Sequence, residues 1–141
     1  MRLFNQLVFD EVVAGTTSVY TDPKWNTIFG AAEKLVIEAV VDNVTTASGS
    51  ATITAFIEHS ADNLHFQQKN GTGGSNPEVQ ITGMSAGSTY VKVGTDPTSA
   101  SNPGIPSAAF ARLNIALSVA TTPQAHVKIW VTGRGEQGTT G

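Results

Sequence analysis

Two long stretches of alternating residues constrain this chain more than any other feature of it. Leu35 to Asp42 reads LVIEAVVD and is followed, across a Thr/Ser/Gly turn, by ATITAFIEH from Ala51 to His59. Ala111 to Val119 reads ARLNIALSV and is followed, across a short turn, by HVKIWVT from His126 to Thr132. A period of two with β-branched residues on one side describes strands buried on one face and wet on the other. Leu35, Ile37, Ala39 and Val41 take the inner face of the first strand, with Ile53, Ala55 and Ile57 on its follower. Leu113, Ile115 and Leu117, then Val127, Ile129 and Val131, repeat the arrangement. Each stretch is expected to be a strand, a turn and the partner strand.

Shorter runs complete the pattern. Gln6 to Val13 alternates loosely and is read as an arm or an edge strand. Thr16 to Tyr20, Val79 to Thr82 and Thr89 to Val93 are short strands. A further one, carrying Leu64 and Phe66 inward, follows a tight turn at Ser60 to Asn63. Asp22 to Asn26 is a turn because Pro23 fixes φ, and Phe29 to Lys34 has room for one helical turn. Asn70 to Pro77 is rich in Gly, Ser and Asn, and Asp96 to Ser107 holds three prolines; both are loops. The fold class is all-β: an antiparallel β-sandwich, jelly-roll-like, with eight or nine strands. The 141 residues divide into an arm or edge strand at 1–15, a sandwich domain at 16–133 and a flexible tail at 134–141. One domain of this size buries roughly two-thirds of the surface of its unfolded chain, enough for a core without metal or disulfide.

Charge and cysteine content remove several functions. Eight basic residues against eleven acidic ones leave a net charge of −3, too weak and too mixed for a nucleic-acid groove or an anionic membrane patch. Charged residues are 13% of the chain, about half the usual share of roughly 25%. Such neutral surface suits permanent contact with other protein. With no cysteine there is no disulfide scaffold, no thiolate nucleophile and no cysteine zinc site. The first residues, MRLFNQ, do not have the make-up of a secretory signal, and no apolar run approaches the ~20 residues of a membrane helix. A soluble product of a cytoplasm is expected.

Candidate chemistry is thin. His59, Asp62 and His65 gather around one turn at a spacing that suits a metal, but a fourth ligand is missing, and turn-and-surface is the better reading. No G-x-S-x-G elbow exposes a serine, and Gly71 to Gly74 does not lead from a strand into a helix as a phosphate loop does. Glu38 and Glu58, on strands expected to be adjacent, are better read as solvated than as a paired-carboxylate site. No catalytic residue, cofactor site or metal site is therefore assigned, and the chain is not expected to be an enzyme. Trp130 faces outward on the last strand and Phe56 is a large apolar residue among outward positions. Exposed aromatics of this kind stack on sugars or anchor protein interfaces, and the interface is favoured.

Two segments carry a resemblance. The run from Leu35 through Glu58-His-Ser60-Ala-Asp62 to Phe66, and the closing run from Ala111 to Arg134, resemble the capsid cement (decoration) proteins of tailed bacteriophages. A podophage of the Bordetella-infecting sort is a plausible home. The resemblance covers about half the chain and implies a jelly-roll protein on the outside of an icosahedral head, bridging major capsid subunits. It implies a virion location after synthesis in the host cytoplasm, with the major capsid protein and further copies of itself as partners. A dimer is favoured and a trimer is possible; neither nucleic acid nor membrane is involved. The expected contact residues are Leu3, Phe4, Leu7 and Phe9 in the arm, with Phe56 and Trp130 on the exposed face. Deleting residues 1–10 is expected to abolish shell binding and leave the fold intact. The alternative is a carbohydrate- or receptor-binding β-sandwich module.

Overall fold

The computed structural model describes residues 2–32, 34–68, 77–95, 109–118 and 120–135. The loops expected at 70–77 and 96–107, the Gly71 to Gly74 run and most of the 134–141 tail lie wholly or largely outside the described residues. Among these residues nine strands run β1 (Arg2–Ala14), β2 (Val19–Tyr20), β3 (Lys34–Thr45), β4 (Ala51–Ser60), β5 (Gln67–Gln68), β6 (Val79–Met84), β7 (Tyr90–Thr95), β8 (Phe110–Ser118) and β9 (Gln124–Arg134). They form two antiparallel sheets packed face to face. The first has the order β1-β9-β3-β7; in the second, β2-β8-β4 continues to β5, with β6 also on β4. Setting aside the two-residue β5, this is the strand order of an eight-stranded jelly roll, in which successive long strands change sheets.

That change of sheet corrects the expected pairings. β3 pairs with β9 and β7, and β4 pairs with β8, β5 and β6. Neither long alternating stretch is a hairpin; each turn is an arch from one sheet to the other. Alternation shows only that each strand has an inner face, and two facing sheets about 10 Å apart satisfy it as well as two neighbours in one sheet. The two arches meet at one end of the sandwich. Ala47 N donates to Thr121 O (2.8 Å), Thr121 N to Ser48 O (3.1 Å) and Ser48 Oγ to Thr121 Oγ1 (3.0 Å). Gly49, at φ 78°, supplies the left-handed backbone that closes the first arch.

The core lies between the sheets and is built from the expected inner residues. Leu35, Ile37, Ile57, Leu113, Ile115, Leu117, Val127, Ile129 and Val131 are fully buried. Burial of such aliphatic side chains stabilises by about 1.5–3 kcal/mol each. One flank is filled by rings: Phe29 stacks with Phe4 (centroids 6.0 Å apart) and with Trp25 (6.1 Å). Phe29 comes from a short helix, α1 (Asn26–Gly30), which follows a 3-10 turn at Pro23–Trp25. Asp22 accepts from Lys24 N (2.9 Å) to start that turn, so the helical residues lie a few positions earlier than expected. Gly30 packs against the Ala109 carbonyl, where a Cβ would overlap backbone.

The N-terminal segment is a full strand. β1 pairs with β9 from Arg2 to Ala14, and a bulge between Leu7 and Phe9 turns both Val8 and Phe9 into the core. Phe9 is therefore removed from the expected contact residues, because a ring only 5% exposed has no surface to offer a partner. Deleting residues 1–10 would remove Val8 and Phe9 from the core and uncover most of β9, so it does not separate docking from folding. Leu64 was expected inward; it lies on a turn and is 78% exposed.

At the other edge, β5 and β6 lie end to end along β4. Between them Ile57 N is met by the buried Glu78 carboxylate (2.8 Å), while Glu78 N donates to Ala55 O (3.1 Å). A carboxylate thus replaces the missing strand partner, which explains a buried acid outside any site.

Candidate interaction surface

The outer face of the four-stranded sheet is assembled by register. One row across it is Leu7, Trp130, Glu38 and Val93; the next is Asp10, Lys128, Val40 and Val91. Asn5, Thr132 and Val36 make a third, in which Thr132 Oγ1 donates to Asn5 Oδ1 (3.2 Å). Val12, Val91, Val93 and Trp130 are 58%, 60%, 55% and 40% exposed, and Leu7, Val36 and Val40 are half-buried around them. Trp130, Val93 and Val36 line a shallow depression of about 230 Å³, with Asn5, Glu38 and Thr132 completing its wall. A two-sided antiparallel sheet ordinarily turns polar residues to water, so four exposed large side chains on one face mark a surface that prefers a partner.

At one end of this face His126 is held between two carboxylates from neighbouring strands. Its Nε2 is 2.5 Å from Asp10 Oδ1 on β1 and its Nδ1 is 2.9 Å from Asp42 Oδ1 on β3. The bond to Asp10, then that to Asp42, holds the imidazole above its ordinary pKa of 6.5. In the protonated form both nitrogens donate, and β1, β9 and β3 are tied together by one side chain.

The outer face of the second sheet carries an ion pair with polar and aromatic partners. Glu58 is buried and accepts from Arg112 Nε (2.8 Å) and Asn114 Nδ2 (3.0 Å). The Arg112 guanidinium lies between the Tyr20 ring (3.9 Å) and the Phe66 ring (4.1 Å). Phe66 thus packs on the outer face of this sheet, not inward as expected. Stacking of this sort adds about 0.5–2 kcal/mol per ring and holds the guanidinium plane in place. Beside it is a cleft of about 450 Å³ lined by Glu11, Tyr20, Thr21, Asp22, Pro23, Asn26 and Arg112. Thr21 ties the rim to β8, its N donating to Leu113 O (3.2 Å) and its Oγ1 accepting from Leu113 N (3.1 Å). Asn26, 5% exposed, donates to Asn63 Oδ1 (2.8 Å), and its own Oδ1 has no partner among the described residues. An unpaired buried carbonyl of this kind costs about 1–3 kcal/mol.

The expected contact residues divide as follows. Leu3 is exposed at the start of β1, Leu7 sits directly opposite Trp130, and Phe4 is half-buried in its stack on Phe29. Phe56 is half-buried on the outer face of the second sheet, opposite Asn114, so it does not share a patch with Trp130. Glu38 and Glu58 likewise lie on opposite outer faces, which removes them as a carboxylate pair. At the His59 turn, Asp62 accepts from His65 N and Leu64 N (2.9 Å each) and pairs with His65 Nδ1 (2.6 Å). The His65 backbone N–H, followed by its ring, holds Asp62 well below the usual carboxylate range, and Asp62 in turn raises His65. His59 takes no part, and among the described residues no three His, Asp or Glu side chains are placed to hold a metal ion. No helix among them is long and apolar enough to cross a membrane. The His126 clamp and the Arg112 stack escaped sequence reading because their members are far apart in the chain. Their only signal was a run of polar residues at outward positions of otherwise apolar strands.

No protein-family model and no curated protein matches the chain. Among solved structures it is similar to the CBM22-1 xylan-binding domain of a Paenibacillus barcinonensis protein, at 11% identity over 96% of each chain with a TM-score of 0.51. It is also similar to a chain of the disulfide-linked pili of Bacillus endospore appendages, at 10% identity over 91% of this chain and 92% of that one, TM-score 0.40. A third is a chain of infectious bursal disease virus, Gx strain, at 15% identity over 96% of this chain and 32% of that one, TM-score 0.41. The first likeness shows the fold: this chain is a β-sandwich. At these identities nothing about ligands or partners follows.

Proposed function

We propose that this protein is a virion structural protein, a capsid cement protein that docks on the outside of a phage head and holds neighbouring major capsid subunits together. One observation carries the reading: the four-stranded sheet presents Trp130, Val91, Val93 and Val12 to solvent on a single face. An exposed aromatic ringed by aliphatic side chains is the composition of an interface centre. Glu38 and Lys128 lie within the patch and give it polar points of register. Low overall charge and the resemblance of the two alternating segments support the same reading. Many copies on a symmetric shell make modest single-site affinity collectively strong. Self-association, as a dimer first and a trimer second, belongs to this proposal, because β1 and β7, the outer strands of the sheet that carries the apolar face, each pair on one side only among the described residues.

The test uses purified protein and empty expanded heads lacking it. Cosedimentation should saturate with the parent protein and fall at least tenfold in affinity for Trp130→Ala and for Val93→Asp, both on the solvent side of a formed sheet. Undiminished binding by both variants, with their unfolding midpoints unchanged, would remove this face from the account.

A further inference from the structure

We propose that the cleft between β1, β2 and the 3-10 turn is a binding site for a neutral, polyhydroxylated ligand, a saccharide unit. At about 450 Å³ it lies within the range of small-ligand sites. Its charges select the ligand class. An anion entering beside Arg112 would meet the carboxylates of Glu11 and Asp22, and a metal ion between those carboxylates would meet the guanidinium. Arg112 is besides already engaged through Nε by Glu58, so it faces the cleft as a fixed donor and not as an unpaired charge. A hydroxyl group donates and accepts at once, and neighbouring hydroxyls on one ring reach carboxylate and guanidinium together.

The walls add what a sugar ring needs. Tyr20, 43% exposed, offers aromatic surface to ring C–H groups and a phenol at its edge. Asn26, nine-tenths buried, also lines the cleft, and its Oδ1 has no partner among the described residues. The site is preorganised, since the Tyr20 and Phe66 rings hold Arg112 in place and the paired Thr21–Leu113 bonds anchor the rim. Tyr20 and Arg112 stand on the outer side of the second sheet, away from Trp130. A molecule docked through its apolar sheet would therefore present this cleft outward.

Amide NMR titration of the isolated protein with xylotetraose, cellotetraose and chitotetraose tests the proposal. At least one should shift the amides of Tyr20, Thr21, Asn26 and Arg112 saturably. Glu11→Ala, a change at an exposed edge position, should weaken that binding about tenfold, as loss of a charge-assisted hydrogen bond does. Tyr20→Ala should abolish it. The idea is overturned if none of the three shifts these amides up to about 10 mM, well beyond a millimolar Kd. It is equally overturned if the shifts survive both substitutions, or if sulfate or calcium ions move the same amides and the sugars do not. Because no shells are present, either result leaves the docking proposal to stand or fall by its own experiment.

Discussion

Replacing Phe9 with alanine distinguishes a strand that belongs to the core from an arm that waits for a partner. The ring is 5% exposed, and its neighbour across the Leu7–Phe9 bulge, Val8, is 8% exposed. Truncating a buried Phe to Ala costs about 3–5 kcal/mol, the spread reflecting how far the surroundings collapse into the space left behind. β1 is an edge strand held on one side only, so the site can relax, and the lower end, about 3 kcal/mol, is expected. For a domain of this length that is a fall of roughly 10 °C in Tm. Leu3→Ala, on the same strand but 46% exposed, should stay within about 0.5 kcal/mol of the parent. Urea unfolding followed by tryptophan fluorescence and by far-ultraviolet circular dichroism measures both, and the slope with denaturant should not change. If Phe9→Ala loses no more than Leu3→Ala, β1 is not part of the folded core and the assignment of the first fourteen residues is wrong.

Two further outcomes follow from side-chain geometry. Because His126 is raised above 6.5 in the fold by Asp10 and Asp42, its stabilisation is complete below its unfolded pKa and is lost as pH rises through the raised folded value. The His126 contribution to the urea midpoint should therefore fall as pH rises above 6.5, so the difference between the parent and His126→Gln should shrink on raising the pH, His65 (raised by Asp62) and Tyr90 (lowered by its bond to Ser85) contributing alike to both proteins; a difference that does not shrink contradicts the clamp. Gly94→Ala would drive a Cβ into the Glu78 carbonyl, and Gly30→Ala would drive one into the Ala109 carbonyl. Each should cost about 1–3 kcal/mol by differential scanning calorimetry, and a neutral result at either would mean that the backbones there are not in contact.

Much of the architecture is legible in the sequence, and the reason is local. Inner faces such as Leu35, Ile37, Ala39 and Val41 announce themselves because side-chain direction alternates with period two whatever the strand's partner. Strand existence, the all-β class and the aliphatic core came from that alone. Trp130 was legible as outward for the same reason. Leu64 misled because one apolar residue beside a turn carries no period.

What composition and alternation determined, then, is which residues face inward and that two layers must cover them. Only the tertiary structure decided which strands are neighbours: that β3 lies beside β9 and not β4, that Phe9 belongs to the core, and that Phe56 and Trp130 look in opposite directions. The same decision brings Asp10, His126 and Asp42 together across three strands, and sets Glu11 beside Tyr20 and Arg112 at the cleft. The physical reason is that burying an alternating face gains the same free energy against any apolar layer. The choice of layer is made by arch length, backbone pairing at the edges and the few contacts between residues distant in the chain, none of which is written in a single strand.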